Sequence, residues 1–256
     1  MSNMAFTPEL ANDTDVANDT DASSLNQERE RIHRQMLSPI AHDLKTPLAS
    51  IIGSLEIYTH MKDALPSEKQ DTLIKVALQE AHRLDTFITN ILDMAKLENG
   101  LVQPKQEDIE IGAILRDCLV RRQYDLKDST VEVESVSGPV KTATDTALLS
   151  RALCLILDNA VKYGGTPSTI RIKFGKDDNR LAYISIQDNG SGIPEAQTKN
   201  IFSKYTRFGK EDKHNKTGMG LGLAIARAIM TLLNGNISAI NHSGGGAIFT
   251  LHFPLQ

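Results

Sequence analysis

Several protein classes are excluded by what this sequence lacks. Its 256 residues hold only two cysteines, Cys118 and Cys154, with no CxxC pair and no His/Cys cluster. That rules out a disulfide framework and a zinc site. Both cysteines lie in apolar helical patterns, which fits reduced core thiols in a cytosolic protein. No apolar run reaches the roughly 18 residues that a membrane-crossing helix needs, and no signal peptide is visible at the N-terminus. The formal net charge of −4 excludes broad nucleic-acid affinity. There is no GK[ST] of a P-loop and no GxGxxG inside a βαβ unit. Residues 1–25 repeat ANDTD at Ala11–Asp15 and Ala17–Asp21 but lack the Gly turn and terminal Glu of a calcium loop. They read as a disordered acidic tail.

What is present suits two modest domains: 40% hydrophobic and 23% charged residues. Ser38 to Tyr58 organises the first, expected over residues 26–100. Leu37, Leu44, Ile51 and Tyr58 recur every seven residues, and Ala41, Leu48 and Leu55 do so in offset. This is the seam of a helix packed in a bundle, within one long helix from Leu25 to about Met61. His42 sits one step off the seam, beside Asp43, with Thr46 one turn later on nearly the same face. Pro47 removes a helical N–H, so a bend is expected just after the histidine. Lys62–Ser67, containing Pro66, reads as a hairpin loop. A second helix runs from Ser67 to about Glu98, with seam rows Leu73/Phe87/Met94 and Ala77/Leu84/Ile91, and Asn99-Gly100 ends it. Two helices cannot enclose a core, but two copies of the hairpin can, as a dimeric antiparallel four-helix bundle. The other arrangement open to the hairpin is packing on its own chain.

After a linker at Leu101–Pro104 the pattern becomes α+β, over residues 101–256. Helices are expected at Ile109–Gln123, Asp145–Tyr163 and Gly218–Leu233. Strands are expected at Val131–Val136, Thr169–Phe174, Leu181–Gln187, Asn236–Asn241 and Ala247–Phe253, with the helices segregated from antiparallel strands.

Four stretches there carry chemistry. In LDNAVKYG (Leu157–Gly164), Asn159, Lys162 and Tyr163 share one helix side, where an amide oxygen can ligate Mg²⁺ and an ammonium can meet phosphate. In DNGSGIP (Asp188–Pro194), directly after a strand, a carboxylate can accept from an exocyclic amine, and Gly190 and Gly192 allow close backbone approach. IFSKYTRFG (Ile201–Gly209) reads as a lid anchored by Phe202 and Tyr205, with Arg207 able to reach a phosphate. GMGLGL (Gly218–Leu223) opens a helix whose free N–H groups suit an anion. Singly, each also fits an ordinary polar helix face or glycine turn.

Their order, together with HDLKTPL at His42–Leu48, resembles the phosphoacceptor, N, G1, F and G2 boxes of sensor histidine kinases over about residues 30–256. Within that family the chain is most similar to the potassium-responsive sensors. The resemblance implies a Bergerat-type ATP-binding sandwich after the bundle. It implies that His42 is the phosphoacceptor, that Asp43 orients it and takes its proton, and that Thr46 serves dephosphorylation of the regulator. Asn159 would hold Mg²⁺, with Lys162 and Tyr163 near phosphates and base. Asp188 would bind adenine in a site shaped by Gly190 and Gly192, and Arg207, Gly218, Gly220, Leu221 and Gly222 would surround the triphosphate. Two positions depart from the family pattern: Leu155 stands where a second Asn is frequent, and Asp158 where Glu is. The implied function is ATP-dependent autophosphorylation of His42 and transfer to an aspartate of a response regulator, by a homodimer in the cytoplasm. The chain would be either a soluble kinase or the cytoplasmic core of a longer membrane sensor. Heat-shock-type and mismatch-repair ATPases and anti-sigma serine kinases share the nucleotide boxes but lack the hairpin. A degenerate kinase acting as a dimeric nucleotide-binding module remains open, on the ground of Leu155.

Overall fold

A computed structural model describes residues 40–177, 181–206 and 220–255. The tail, the expected start of the long helix with Leu37, and the stretch holding Arg207 and Gly218 lie outside the described residues. The fold divides into two compact units, and the division falls within the second helix, between Asp85 and Thr86.

In the first unit, α1 is helical over 40–61 and continues through Pro47. A 3-10 turn at Lys62–Ala64 leads into α2, Ser67–Glu98. Gln70 locks the hairpin: its Nε2 donates to the carbonyls of Lys62 at 2.7 Å and Leu65 at 2.9 Å. One heptad row of α1, Leu44, Ile51 and Tyr58, is half-buried, and Ser54 and Ala77 are buried where small side chains let the backbones approach. The other row stays open, with Leu48 47% and Leu55 43% exposed. A third row, absent from the expected seams, is also open on α2: Leu78, Ile88 and Leu92. α2 ends in a Schellman motif. Gly100 takes φ +64°, Leu101 N–H donates to the Lys96 carbonyl at 3.0 Å, and Gly100 N–H donates to the Leu97 carbonyl at 3.2 Å.

The second unit is a two-layer sandwich. Its elements are β1 (Glu107–Glu110), α3 (Ile111–Arg121), β2 (Ser129–Ser135), β3 (Lys141–Thr144), α4 (Thr146–Tyr163), β4 (Ser168–Lys176), β5 (Leu181–Gln187), α5 (Gly222–Leu232), β6 (Asn236–Asn241) and β7 (Ala247–Pro254). The main sheet runs β2-β4-β5-β7-β6. Strict alternation aims one face of it at the helices: Ile170 and Ile172 of β4, Ala182, Ile184 and Ile186 of β5, and Phe249, Leu251 and Phe253 of β7 are buried. Leu149, Leu153, Ile156 and Leu157 of α4 complete this core, at about 1.5–3 kcal/mol for each large side chain removed from water.

Two expectations need correction. The sheet is not wholly antiparallel: β2 pairs β4 in parallel, from Ser129↔Ser168 to Ser135↔Phe174. The chain between them makes a crossover through β3 and α4, the kind of long connection that a parallel pair requires. A small second sheet, β1 with β3 antiparallel, was also unforeseen. Its strands, EDIE and KTAT, are too short and polar to alternate visibly. As a result α3 starts at Ile111, not Ile109.

Asp145 caps α4 as a strong helix start should. One carboxylate oxygen accepts from Leu148 N–H at 2.9 Å, and the other takes Lys105 N–H of the linker at 2.8 Å. The final turns of α2 belong to this unit. Met94 joins its core, and Arg151 of α4 reaches Asp93 at 2.8 Å and Asn90 Oδ1 at 2.7 Å.

Candidate nucleotide and phosphoacceptor sites

The exposed histidine comes from the rule that a residue beside a seam faces water. The His42 side chain is 81% exposed. Its Nδ1 faces Asp43 Oδ1 at 3.5 Å, a loose contact that leaves Nε2 as the outward nitrogen. Thr46 Oγ1 donates to the His42 carbonyl at 3.1 Å, one turn back. Its hydroxyl proton is therefore committed to the helix, while its oxygen lone pairs remain able to accept.

The second site gathers at the ends of α4 and β5 and at the start of α5. Asp188 follows β5 and is only 4% exposed. Its Oδ1 accepts from Gly190 N–H at 2.8 Å and from Ala247 N–H at 3.2 Å. Its Oδ2 accepts from no described residue, so one oxygen of a nearly sealed carboxylate is left for a donor from outside the chain. Such an oxygen suits an exocyclic amine.

The glycines around it are packing requirements as much as openings. A Cβ on Gly190 would stand 1.9 Å from the Tyr163 carbonyl oxygen, and one on Gly246 would stand 2.0 Å from the Asp188 carbonyl oxygen. Gly192 holds φ +75°. Next to it, Asn241 of β6 closes a two-way clasp on Ile193: Oδ1 accepts its N–H at 2.6 Å and Nδ2 donates to its carbonyl at 2.8 Å. Asn189 ties the loop after α4 in the same manner. It accepts from Thr169 N–H at 2.8 Å and donates to the Pro167 carbonyl at 2.8 Å. Asn189, Asn241, Gly246 and Ala247 are thus parts of the site that sequence reasoning missed. Gly244-Gly245-Gly246 had looked like a simple hairpin turn, and its only signal was three successive glycines where two suffice.

Asn159 is half-buried on α4, and its amide makes no hydrogen bond to any described residue. Lys162 lies over the Tyr163 ring at 5.0 Å, and burial pushes the Tyr163 phenol above its ordinary range, so it stays neutral. α5 begins with no side-chain cap, leaving the N–H groups of its first turn open to an anion. Gly220, at φ +64°, packs against the Thr206 backbone, and Tyr205 N–H donates to the Gly220 carbonyl at 2.9 Å. The near end of the expected lid is therefore stitched to the glycine stretch. Phe202 lies beneath Arg227 at 6.0 Å, and Lys204 pairs with Glu98. Leu221 is buried in the core. Gly222 faces Leu155, whose Cδ2 would lie 3.7 Å from an added Cβ. Leu155 therefore fills core space beside the start of α5.

Asp158 points to α3. Arg122 Nη2 donates to its Oδ2 at 2.8 Å, yet burial outweighs the guanidinium and pushes the carboxyl up to about 6.

Residues 32–100 match the His Kinase A (phospho-acceptor) domain, and residues 144–256 match the histidine kinase-, DNA gyrase B- and HSP90-like ATPase. The chain thus carries, in order, the two domains of a sensor histidine kinase. Among its relatives, the sensor protein KdpD of Escherichia coli is 32% identical and that of Clostridium acetobutylicum 29%, each over 92% of this chain. The chain spans 26% of the length of each. The subfamily likeness expected from the boxes, to sensors of the KdpD kind, is thereby borne out. The histidine kinase ThkA, solved in complex with the response regulator TrrA, shares the fold with a TM-score of 0.70 at 21% identity, over 96% of this chain and 68% of that one. The expected order, helical region then sheet-and-helix ATP-binding domain, holds. No helix among the described residues is long and apolar enough to cross a membrane.

Proposed function

We propose that this chain is an ATP-dependent protein histidine kinase of a two-component system. Two modules divide the work: residues 26–100 present His42, and residues 101–256 bind ATP. The observation that carries the reading is the pairing, in one chain, of a solvent-exposed imidazole on a bundle helix with a buried carboxylate that keeps one oxygen open. Asp188 takes the adenine amine, while Gly190 and Gly192 hold the loop against the base. Lys162 and Tyr163 flank the nucleotide, and Arg207, outside the described residues, is assigned to a phosphate from the motif alone. The N–H groups of Gly220, Leu221 and Gly222 face the phosphates, and Gly218, outside the described residues, is assigned to them from the motif alone. Asp43 holds Nδ1 of His42 and receives the proton, leaving Nε2 to attack the γ-phosphorus. An N–P bond forms, the bond to the bridging oxygen breaks, and ADP leaves. The phosphoryl group then passes to an aspartate of a response regulator, and Thr46 aligns a water for the reverse, dephosphorylating reaction.

The site also suits Mg²⁺, which when bound would offset phosphate charge. Among the described residues no cluster of three His, Cys, Asp or Glu side chains could hold a metal. The amide of Asn159, which bonds to no described residue, is then the protein's ligand, with phosphate oxygens as the others. The open rows Leu48/Leu55 and Leu78/Ile88/Leu92 are covered by a second copy of the hairpin, giving the homodimer. Use of ATP places this part of the molecule in the cytoplasm. Leu155 favours the second reading, a dimeric nucleotide-binding module without catalysis.

Labelled ATP with Mg²⁺ decides between them. Label that is lost in acid and kept in alkali marks phosphohistidine and supports the kinase. Acid-stable label indicates a serine kinase, and nucleotide binding without any label indicates the module.

A further inference from the structure

The two cysteines, expected as separate core thiols, are neighbours across the α3–α4 packing. Both are free; Cys118 is fully buried, and Cys154 is half-buried. Two rungs set the register of the helices. Cys118 Sγ lies 3.1 Å from Ser150 Oγ and donates to the Ser150 carbonyl at 3.7 Å. Arg122 Nη2 reaches Asp158 at 2.8 Å, and its Nη1 reaches Asp125 at 3.1 Å. Ser150, Cys154 and Asp158 follow one another at four-residue intervals along one face of α4, about 6 Å per step. Cys118 and Arg122 do the same on α3. Cys154 thus falls between the rungs, against both Cys118 and Arg122.

The two thiols differ in character. Interaction with the Cys118 thiol, then Arg122 and Arg151, pulls Cys154 below its ordinary range against the effect of burial, which favours its thiolate. The same interaction and burial push Cys118 well up. Asp158 and Asp125 are the opposing charges nearby. A half-exposed sulfur beside cations, next to a fully buried thiol, is the arrangement in which one sulfur reacts and the other resolves.

We propose that Cys154 and Cys118 form a peroxide-reactive modification site that closes a disulfide between α3 and α4. The Cys154 thiolate attacks hydrogen peroxide; the O–O bond breaks, hydroxide leaves and takes up a proton, and Cys154 becomes a sulfenic acid. Cys118 sulfur then attacks Cys154 sulfur, the S–O bond breaks, and the departing hydroxide takes the Cys118 proton as water. The two cysteines lose two electrons in total, and one peroxide becomes two waters. Cross-linking would occur on the helix that carries Asn159, Lys162 and Tyr163, so an oxidant would act directly behind the nucleotide face.

The test uses the reduced full chain, hydrogen peroxide at pH 7, and alkylation after denaturation, read by peptide mass spectrometry. Both thiols should disappear together into one intramolecular Cys118–Cys154 peptide pair, recovered by dithiothreitol. Cys118→Ser and Cys118→Ala should instead leave a dimedone-reactive sulfenic acid on Cys154, and Cys154→Ser should leave Cys118 unmodified. Because changes at a fully buried residue can unfold the chain, Arg122→Gln in the otherwise unaltered protein gives an independent reading. Removing the cation should slow thiol loss at pH 7 about threefold or more, by raising the thiol toward its ordinary range. Two thiols that both alkylate fully after peroxide, disulfides only between chains, oxidation of Cys118 in Cys154→Ser, or an unchanged rate in Arg122→Gln would overturn the proposal.

Discussion

His42 keeps 81% of its side chain in solvent, whereas Asp188 is only 4% exposed. The contrast extends to their surroundings. His42 has one loose side-chain contact, at 3.5 Å, on a helix whose outer apolar row is open. Asp188 is held by two backbone N–H groups and enclosed by glycines that tolerate no side chain. On the proposed reading His42 is a phosphoacceptor, which must meet a donor and then a partner protein, so exposure serves it. Asp188, proposed to recognise a base, must be desolvated and fixed in advance, because a hydrogen bond is worth most where water cannot compete. The hairpin therefore depends on what covers it, and the ATP domain on what fills it.

Substitutions can break this contrast from either side. The largest effect is expected on the open rows. Leu48→Glu places a charge in the face that a second copy would cover, and two-fold symmetry counts it twice. With about 1.5–3 kcal/mol for each buried Leu, dimer affinity should fall by about 100-fold or more. Sedimentation equilibrium measures it; an unchanged dimer would mean that these rows are covered by something else. Next is Asp188→Asn, which keeps the shape but replaces the carboxylate. Nucleotide affinity should drop about 10- to 100-fold, as for a charge-assisted hydrogen bond of about 1.5–3 kcal/mol, with the dimer intact. Asn159→Ala should be milder, removing only the Mg²⁺-dependent part of that affinity, on the order of tenfold. Calorimetry with and without Mg²⁺ reads it directly. Thr46→Ala should be the smallest. Phosphorylation of His42 should stay within about twofold of wild type, while loss of phosphate from the regulator slows. If both activities fall together, the 3.1 Å bond from Thr46 Oγ1 to the His42 carbonyl is the hydroxyl's whole role.

Legibility in the sequence followed the same contrast. A seven-residue apolar repeat and a histidine one step off it are local patterns, so the hairpin, its loop at Lys62–Ser67 and the end at Gly100 could all be read directly. In the ATP domain Asp188, Gly190 and Asn159 were legible as motifs, each contained in a single short stretch. Ala247 was not, because it reaches Asp188 Oδ1 across 59 residues of sequence, and Gly246 packs on the same residue from the same distant hairpin. Nor could Asn241 be singled out, since its clasp on Ile193 spans 48 residues. The parallel β2–β4 pair and the β1–β3 ribbon were hidden for a related reason. Register between distant strands is set by the packed fold, and four-residue polar strands carry no period.

The central claim is that the exposed imidazole receives phosphate from nucleotide bound around the sealed carboxylate. His42→Gln tests it most directly when two quantities are read on the same sample: nucleotide affinity by calorimetry and acid-labile label from ATP. The expected result is wild-type affinity with no label. Label that persists in His42→Gln would contradict the account, whatever the affinity.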